Sequence, residues 1–416
     1  MSENKKNSQE MRLKIKKYLE LDNVTVLAGA GTSFHLGTPI IREVPEGLKP
    51  KCEESITRYF GKDTNPSYED LFNCLQADKY LKEKKKENAD DINNVMVEMQ
   101  KWLFKNCDTQ NIDIQKLYEE EKKYKEYKDD DRLKVNRYYY HESFIKMLLQ
   151  RPNNLKRANL FTTNYDMAFD YALDNLGVHY INGFSGIHNR CFRPEVYDYD
   201  IYYPGQSVSG KVHRAEKVLR YYKMHGSLSW VATESSPSNV YGIKEVALDG
   251  TFEPNADKQI MIYPCVSKKT FTLDLPYSEL FRQFAQAITQ PQSVLFCIGY
   301  SFFDEHINDI IYQALSIPSF TLIIANFDKD NFKDNKPLQQ LRELNDPRII
   351  ILNPTDSEQS TFVGFVKNVM PDLYEENEQL IVSETMNKLY PIVEQPVEDN
   401  KKDIIQDVNS KENESE

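Results

Sequence analysis

A short apolar run that ends in two closely spaced glycines sets the main constraint on this chain. Val24-Thr-Val-Leu-Ala-Gly-Ala-Gly-Thr-Ser33 continues to Gly37-Thr-Pro-Ile-Ile-Arg42. The apolar run stops at Gly29 and small residues hold the turn to Ser33. A buried parallel strand ends this way when a phosphate sits against the backbone that follows. Without a Cβ at Gly29 and Gly31, the main chain can approach a pyrophosphate closely, and the N–H groups of the turn are expected to face the anion. A Gly-Ala-Gly turn also occurs with no ligand, so the rest of the chain must decide.

At 416 residues the chain is long enough to bury a full α/β core and carry a second element. A formal net charge of −12 argues against broad binding to nucleic acid or an anionic membrane surface. No apolar run has the length of a membrane span, and the first residues lack a hydrophobic signal core. Cys52, Cys74, Cys107, Cys191, Cys265 and Cys297 are scattered, with no Cys-x-x-Cys pair. That pattern offers neither a zinc ribbon nor a disulfide framework, and it leads us to expect a cytoplasmic protein with no bound metal.

Near-continuous apolar runs at 24–28, 159–163, 259–263, 293–298, 319–325 and 348–352 read as strands covered on both faces, with helices near 167–176, 277–289 and 304–315 between them. This alternation predicts an α/β fold, a doubly wound, mostly parallel Rossmann-like sheet. Residues 1–355 are expected to form this α/β domain, interrupted at about 44–155 by a helical insertion rich in Lys, Glu, Asp and Tyr. Val95, Met99, Trp102 and Leu103 mark an apolar helix face there, while Lys82–Glu87 and Tyr118–Asp131 read as solvated stretches. A C-terminal helical extension is expected at 356–393 and an acidic, disordered tail at 394–416.

Polar clusters follow the strands: Gly29–Ser33, Thr162-Thr-Asn-Tyr-Asp166, His225-Gly-Ser227 and Gly299-Tyr-Ser301, with Asn326 after the next strand. An open α/β sheet brings such clusters to one crevice at its strand C-terminal ends. Each has a plain structural reading on its own. His225 could be a turn histidine, Asn164 and Asp166 could cap a helix, and Gly299–Ser301 could be a simple turn. Their convergence on one rim is what points to a ligand. His35, His141, His179, His188, His213 and His306 take the structural or surface reading, and Asp304 reads as a helix start close to the rim.

The ordered motifs resemble the sirtuin superfamily of NAD-consuming enzymes. Gly29–Ser33 and Gly37–Arg42 match its Gly-Ala-Gly-x-Ser and Gly-x-Pro-x-x-Arg segments with the same three-residue gap. Thr162-Thr163-Asn164-Tyr165-Asp166 resembles its Thr-Gln-Asn-x-Asp, His225-Gly226 its His-Gly, and Gly299-Tyr300-Ser301 and Asn326 its adenosine contacts. Two departures, the missing four-cysteine zinc module and Ile40 where the family carries an acid, count against protein deacylation. The combination is similar instead to bacterial sirtuin-like antiphage effectors that hydrolyse NAD+. The resemblance implies a homo-oligomer that assembles with a HerA-type hexameric ATPase.

The residues suit that chemistry. Nicotinamide leaves as a neutral base from a cationic ring, so the reaction needs a stabilised oxocarbenium-like ribose and an activated water rather than a general acid. The catalytic candidates are His225 as proton acceptor, Asn164 to hold the water or a ribose hydroxyl, and Asp166 to face the nicotinamide. The candidate NAD+-binding residues are Gly29, Ala30, Gly31, Thr32, Ser33, Arg42, Thr162, Thr163, Gly299, Ser301 and Asn326. Two competing readings are an NAD-dependent deacylase and a non-catalytic nucleotide-binding assembly module.

Overall fold

The apolar runs pair side by side because each can bury both faces. In the computed structural model, which describes residues 3–40, 43–205, 212–248, 259–261 and 276–373, seven strands form the central sheet. They are β1 (Asn23–Ala28), β2 (Asn159–Thr162), β3 (His179–Ile181), β4 (Val218–Lys223), β5 (Ser293–Ile298), β6 (Thr321–Ala325) and β7 (Ile349–Ile351). Their order is β7-β6-β5-β1-β2-β4-β3 and every pairing is parallel. The chain leaves β1 toward β2 on one side and reaches β5 on the other only later. The strand order therefore reverses between β1 and β5, which opens a crevice at their C-terminal ends.

Alternate residues feed two cores, as the two-residue period of a strand requires. Val24, Val26, Ala28, Val294, Phe296 and Ile298 join the core under the helices Tyr139–Leu148 and Ala168–Asn175. Leu27, Leu295, Cys297, Leu322 and Ile324 join the core under Tyr277–Ile288, Glu305–Leu315 and Lys336–Glu343. In the second core Phe161 stacks on Tyr222 with centroids 4.1 Å apart and planes at 7°. Such a pair adds about 1 kcal/mol beyond its buried area.

A smaller antiparallel sheet is built from Phe184–Ser185, Arg190–Phe192, Gly226–Ala232, Ile243–Glu245 and Gln259–Met261. This corrects the parallel reading of the run at 259–263. Gln259–Met261 pairs antiparallel with Gly226–Ala232 and lies outside the central sheet.

Between β1 and β2 the chain is helical, with helices at Lys49–Phe60, Tyr68–Lys85, Asp90–Cys107, Ile114–Glu120, Asp131–Val135 and Tyr139–Leu148. The first three enclose their own core around Leu48, Cys52, Tyr68, Leu71 and Met99. The later part departs from the solvated reading of Tyr118–Asp131. Tyr118, Tyr124 and Tyr127 are buried in the main core, because a tyrosine ring contributes large apolar area while its hydroxyl finds a partner. After β7 come short helical turns at Ser357–Ser360, Phe362–Gly364 and Phe365–Val369. The remainder of the expected extension and the acidic tail lie outside the described residues.

Candidate functional site

The crevice between β1 and β5 is held by three glycines in close contact. Gly29 donates its N–H to Ile298 O and Gly31 donates to Gly299 O, both at 2.9 Å. A Cβ on Gly31 would lie 2.7 Å from Gly299 Cα. Gly299 has a φ of +60°, and a Cβ there would meet Thr32 N at 2.7 Å. Thr32 N–H and Ser33 N–H also bond inward, to Gly29 O and Ala30 O. The N–H groups expected to face an anion are thus bonded within the protein at four of these positions. What the glycines permit is the close crossing of two loops.

Behind that turn the end of β2 is fastened by side chains. Thr162 Oγ1 donates to Ala28 O and accepts from Asn164 N–H, each at 3.0 Å. Thr163 N–H also donates to Ala28 O. Asn164 Nδ2 donates to Thr32 Oγ1 at 3.1 Å and to Ser33 Oγ at 3.2 Å. Thr32 Oγ1 donates onward to Gly29 O, and Ser33 bonds the Asp166 carboxylate. Thr32 and Ser33 are fully buried, so they orient Asn164 and Asp166.

Asp166 accepts from Ala168 N–H at 3.0 Å at the start of the helix Ala168–Asn175. Burial pushes its carboxyl above the ordinary carboxylate range, while Lys223, the Ala168 N–H and Ser33 hold it down. Lys223 is buried, pairs with Asp170 at 3.0 Å and bonds Asp166 O. Tyr221 donates to the same Asp170 oxygen at 2.9 Å.

His225 follows β4 where the chain passes into the antiparallel sheet, and Gly226, at φ +85°, makes that bend. The bend is anchored on the β2 side, since Met224 N–H donates to Thr162 O and Leu228 N–H to Tyr165 O. His225 is buried, and its Nε2 lies 3.0 Å from Asp304 Oδ2 without in-line hydrogen-bond geometry. Sequence reasoning had placed Asp304 only near the rim. Its spacing from Ser301 is a usable signal, but the pairing joins residues that follow β4 and β5, two strands separated in the sheet by β1 and β2.

A cavity of about 380 Å³ adjoins the turn. Ala30, Gly31, Gly299, Ser301 and Asn326 line it, as do Tyr127 from the insertion and Phe362 from the segment after β7. Gly29, Thr32, Ser33, Thr162, Thr163, Asn164, Asp166 and His225 do not line it, and Arg42 falls outside the described residues. His35 also lines the cavity, and its ring stacks on His141 with centroids 5.3 Å apart. Among the described residues, no ring nitrogen of either histidine has a hydrogen-bond partner. Burial lowers His35 from the ordinary 6.5 to about 3 and lowers His141 well below 6.5. Among the described residues, no group of three or more His, Cys, Asp or Glu side chains is placed to hold a metal, and no helix is long and apolar enough to cross a membrane.

The sheet, its reversal point and the polar rim define a doubly wound, Rossmann-like α/β protein. Residues 158–349 match the family described as SIR2-like domain. That stretch runs from the start of β2 into β7 and holds Asn164, Asp166, His225, Ser301, Asp304 and Asn326. No curated protein matches the chain. Similar solved structures include a mutant Sir2 homologue in complex with ADP ribose, at 14% identity, covering 85% of this chain and 96% of that one with a TM-score of 0.34. Another, from work on the structural basis of sirtuin substrate affinity, is 13% identical and covers 86% of this chain and 98% of that one with a TM-score of 0.35.

Proposed function

We propose that this chain hydrolyses NAD+ to ADP-ribose and nicotinamide. The observation that carries the reading is the convergence of Asn164 and His225, from the ends of β2 and β4, on the rim that also bears Gly31, Ser301 and Asn326. The SIR2-like match over 158–349 supports it. In this reading the cavity beside Gly31 takes the adenosine half, with Ser301 and Asn326 toward the adenine ribose. The nicotinamide ribose lies toward Asn164 and His225. The bond from C1′ to the nicotinamide nitrogen breaks and its electron pair stays on nicotinamide, while water bonds to C1′ and its proton passes to His225. Asn164, held by Thr32 and Ser33, orients the water or a ribose hydroxyl. Following the resemblance, the chain acts in a homo-oligomer as an NAD-depleting effector of antiphage defence, regulated by assembly with a HerA-type ATPase.

The test is NAD+ consumption by the purified chain, with and without such an ATPase, resolving nicotinamide, ADP-ribose and cyclic products by chromatography. Loss of NAD+ that disappears in folded His225→Ala and Asn164→Ala variants is the expected result. Turnover that persists in both variants overturns it. No turnover under any condition returns the chain to a nucleotide-binding assembly module.

A further inference from the structure

We infer that Asp304 is a positioning residue for His225, and that the two act as a carboxylate–imidazole pair. The inference rests on the NAD+ reading above only for its kinetic arm. His225 Nε2 and Asp304 Oδ2 are 3.0 Å apart, and both side chains are buried. Asp304 Oδ1 accepts the N–H groups of His306 at 3.1 Å and Ile307 at 3.4 Å, at the start of the helix Glu305–Leu315. The second oxygen faces the imidazole.

The loop carrying Asp304 is strained and braced. Phe302 adopts a φ of +59°, a conformation that costs a bulky residue on the order of 1–3 kcal/mol. It persists because Asn308 Nδ2 donates to Phe302 O at 2.7 Å, while Tyr300 Oη donates to Asp304 O and to Asn308 Oδ1, each at 3.2 Å. Strain maintained by surrounding bonds beside a rim histidine marks a loop held for function rather than for economy of folding.

The chemistry follows from the direction of approach. A carboxylate on Nε2 keeps the proton on that nitrogen and leaves the lone pair on Nδ1, so Nδ1 is the atom that accepts a proton from water or a ribose hydroxyl. The imidazolium so formed is held by the Asp304 carboxylate. The present misalignment fits a pair that tightens when substrate orders the ring, as catalytic hydrogen bonds often do.

Asp304→Asn tests this, since asparagine keeps the helix cap and removes the charge. In the full chain it is expected to lower kcat for NAD+ cleavage at least about tenfold with KM within about twofold, and to cause no further loss in a His225→Ala background. In 15N-histidine spectra, with His225 assigned by its loss in His225→Ala, the wild type is expected to show the proton on Nε2 and Asp304→Asn to lose that preference. Unchanged kcat and an unchanged tautomer in Asp304→Asn overturn the inference, as does a wild-type His225 protonated on Nδ1, a result that does not depend on Asp304→Asn folding. A wild type that cleaves no NAD+ but keeps the Asp304-dependent Nε2 proton sustains the pairing and removes the NAD+ reading alone.

Discussion

Asn164 reaches across the crevice to Ser33, its Nδ2 donating to Ser33 Oγ at 3.2 Å and at the same time to Thr32 Oγ1 at 3.1 Å. The end of β2 and the turn after β1 are thereby one unit, and the amide at the candidate site has a single orientation. This explains why a Gly-Ala-Gly turn is followed by two hydroxyl residues that have no exposure of their own.

Ser33→Ala is therefore expected to act through Asn164. Losing one of its two acceptors leaves the amide freer, and NAD+ cleavage should fall roughly ten- to hundredfold in kcat with little change in KM. Stability should drop by about 2–4 kcal/mol for the two lost bonds, to Asn164 and to the Asp166 carboxylate. Steady-state kinetics beside a denaturant titration check both, and a change confined to KM would place Ser33 on the substrate instead.

The crossing of the two glycine loops makes a separate prediction. Gly31→Ala places a Cβ 2.7 Å from Gly299 Cα, and backbone cannot move aside as a side chain can. A loss of roughly 2–3 kcal/mol is expected, readable as a lowered denaturation midpoint. Gly47→Ala, with nothing within 4 Å of the added carbon, is the control and should stay within about 0.5 kcal/mol of wild type.

Much of this was readable in the sequence. The strands β1, β5 and β6 announce themselves because burial on both faces demands unbroken apolar runs, and the rim clusters follow from where such strands end. Three things were not readable. Tyr118, Tyr124 and Tyr127 look like part of a charged surface stretch, because a tyrosine among lysines gives no sign of which way it packs. The short strand Gln259–Met261 has the composition of a parallel strand but pairs antiparallel, and pairing partner is a long-range property. The glycines signal a close approach, yet the partner they approach is another loop as well as the cavity.

Beneath the site, Lys223 and Asp170 form a buried ion pair at 3.0 Å. Lys223→Met leaves Asp170 with the Tyr221 hydroxyl as its side-chain partner among the described residues, and a cost of about 3–5 kcal/mol is expected. It also removes the cation that holds the Asp166 carboxyl down, so that group should titrate still higher. Combining Lys223→Met with Asp170→Leu should recover a large part of the loss. Thermal unfolding of the two variants decides this, and a double variant no more stable than Lys223→Met would show that the pair is not what the single change breaks.

The stacked His35–His141 pair predicts how the fold responds to acid. Burial holds His35 at about 3 and His141 well below its ordinary 6.5, so both are neutral in the folded chain at neutral pH. The unfolded chain binds protons at these residues as pH falls below about 6.5, while the folded chain does not until much lower. Stability is then fully present above pH 6.5 and lost as pH falls toward 3, with a slope of up to about 1.4 kcal/mol per pH unit for each histidine. His141 packs on Phe169 with centroids 4.7 Å apart and on Phe362 at 4.8 Å, so phenylalanine suits its place. In His35→Phe/His141→Phe the melting temperature should decline much less between pH 7 and pH 5 than in the wild type. Equal declines in the two proteins would assign the acid sensitivity to other groups.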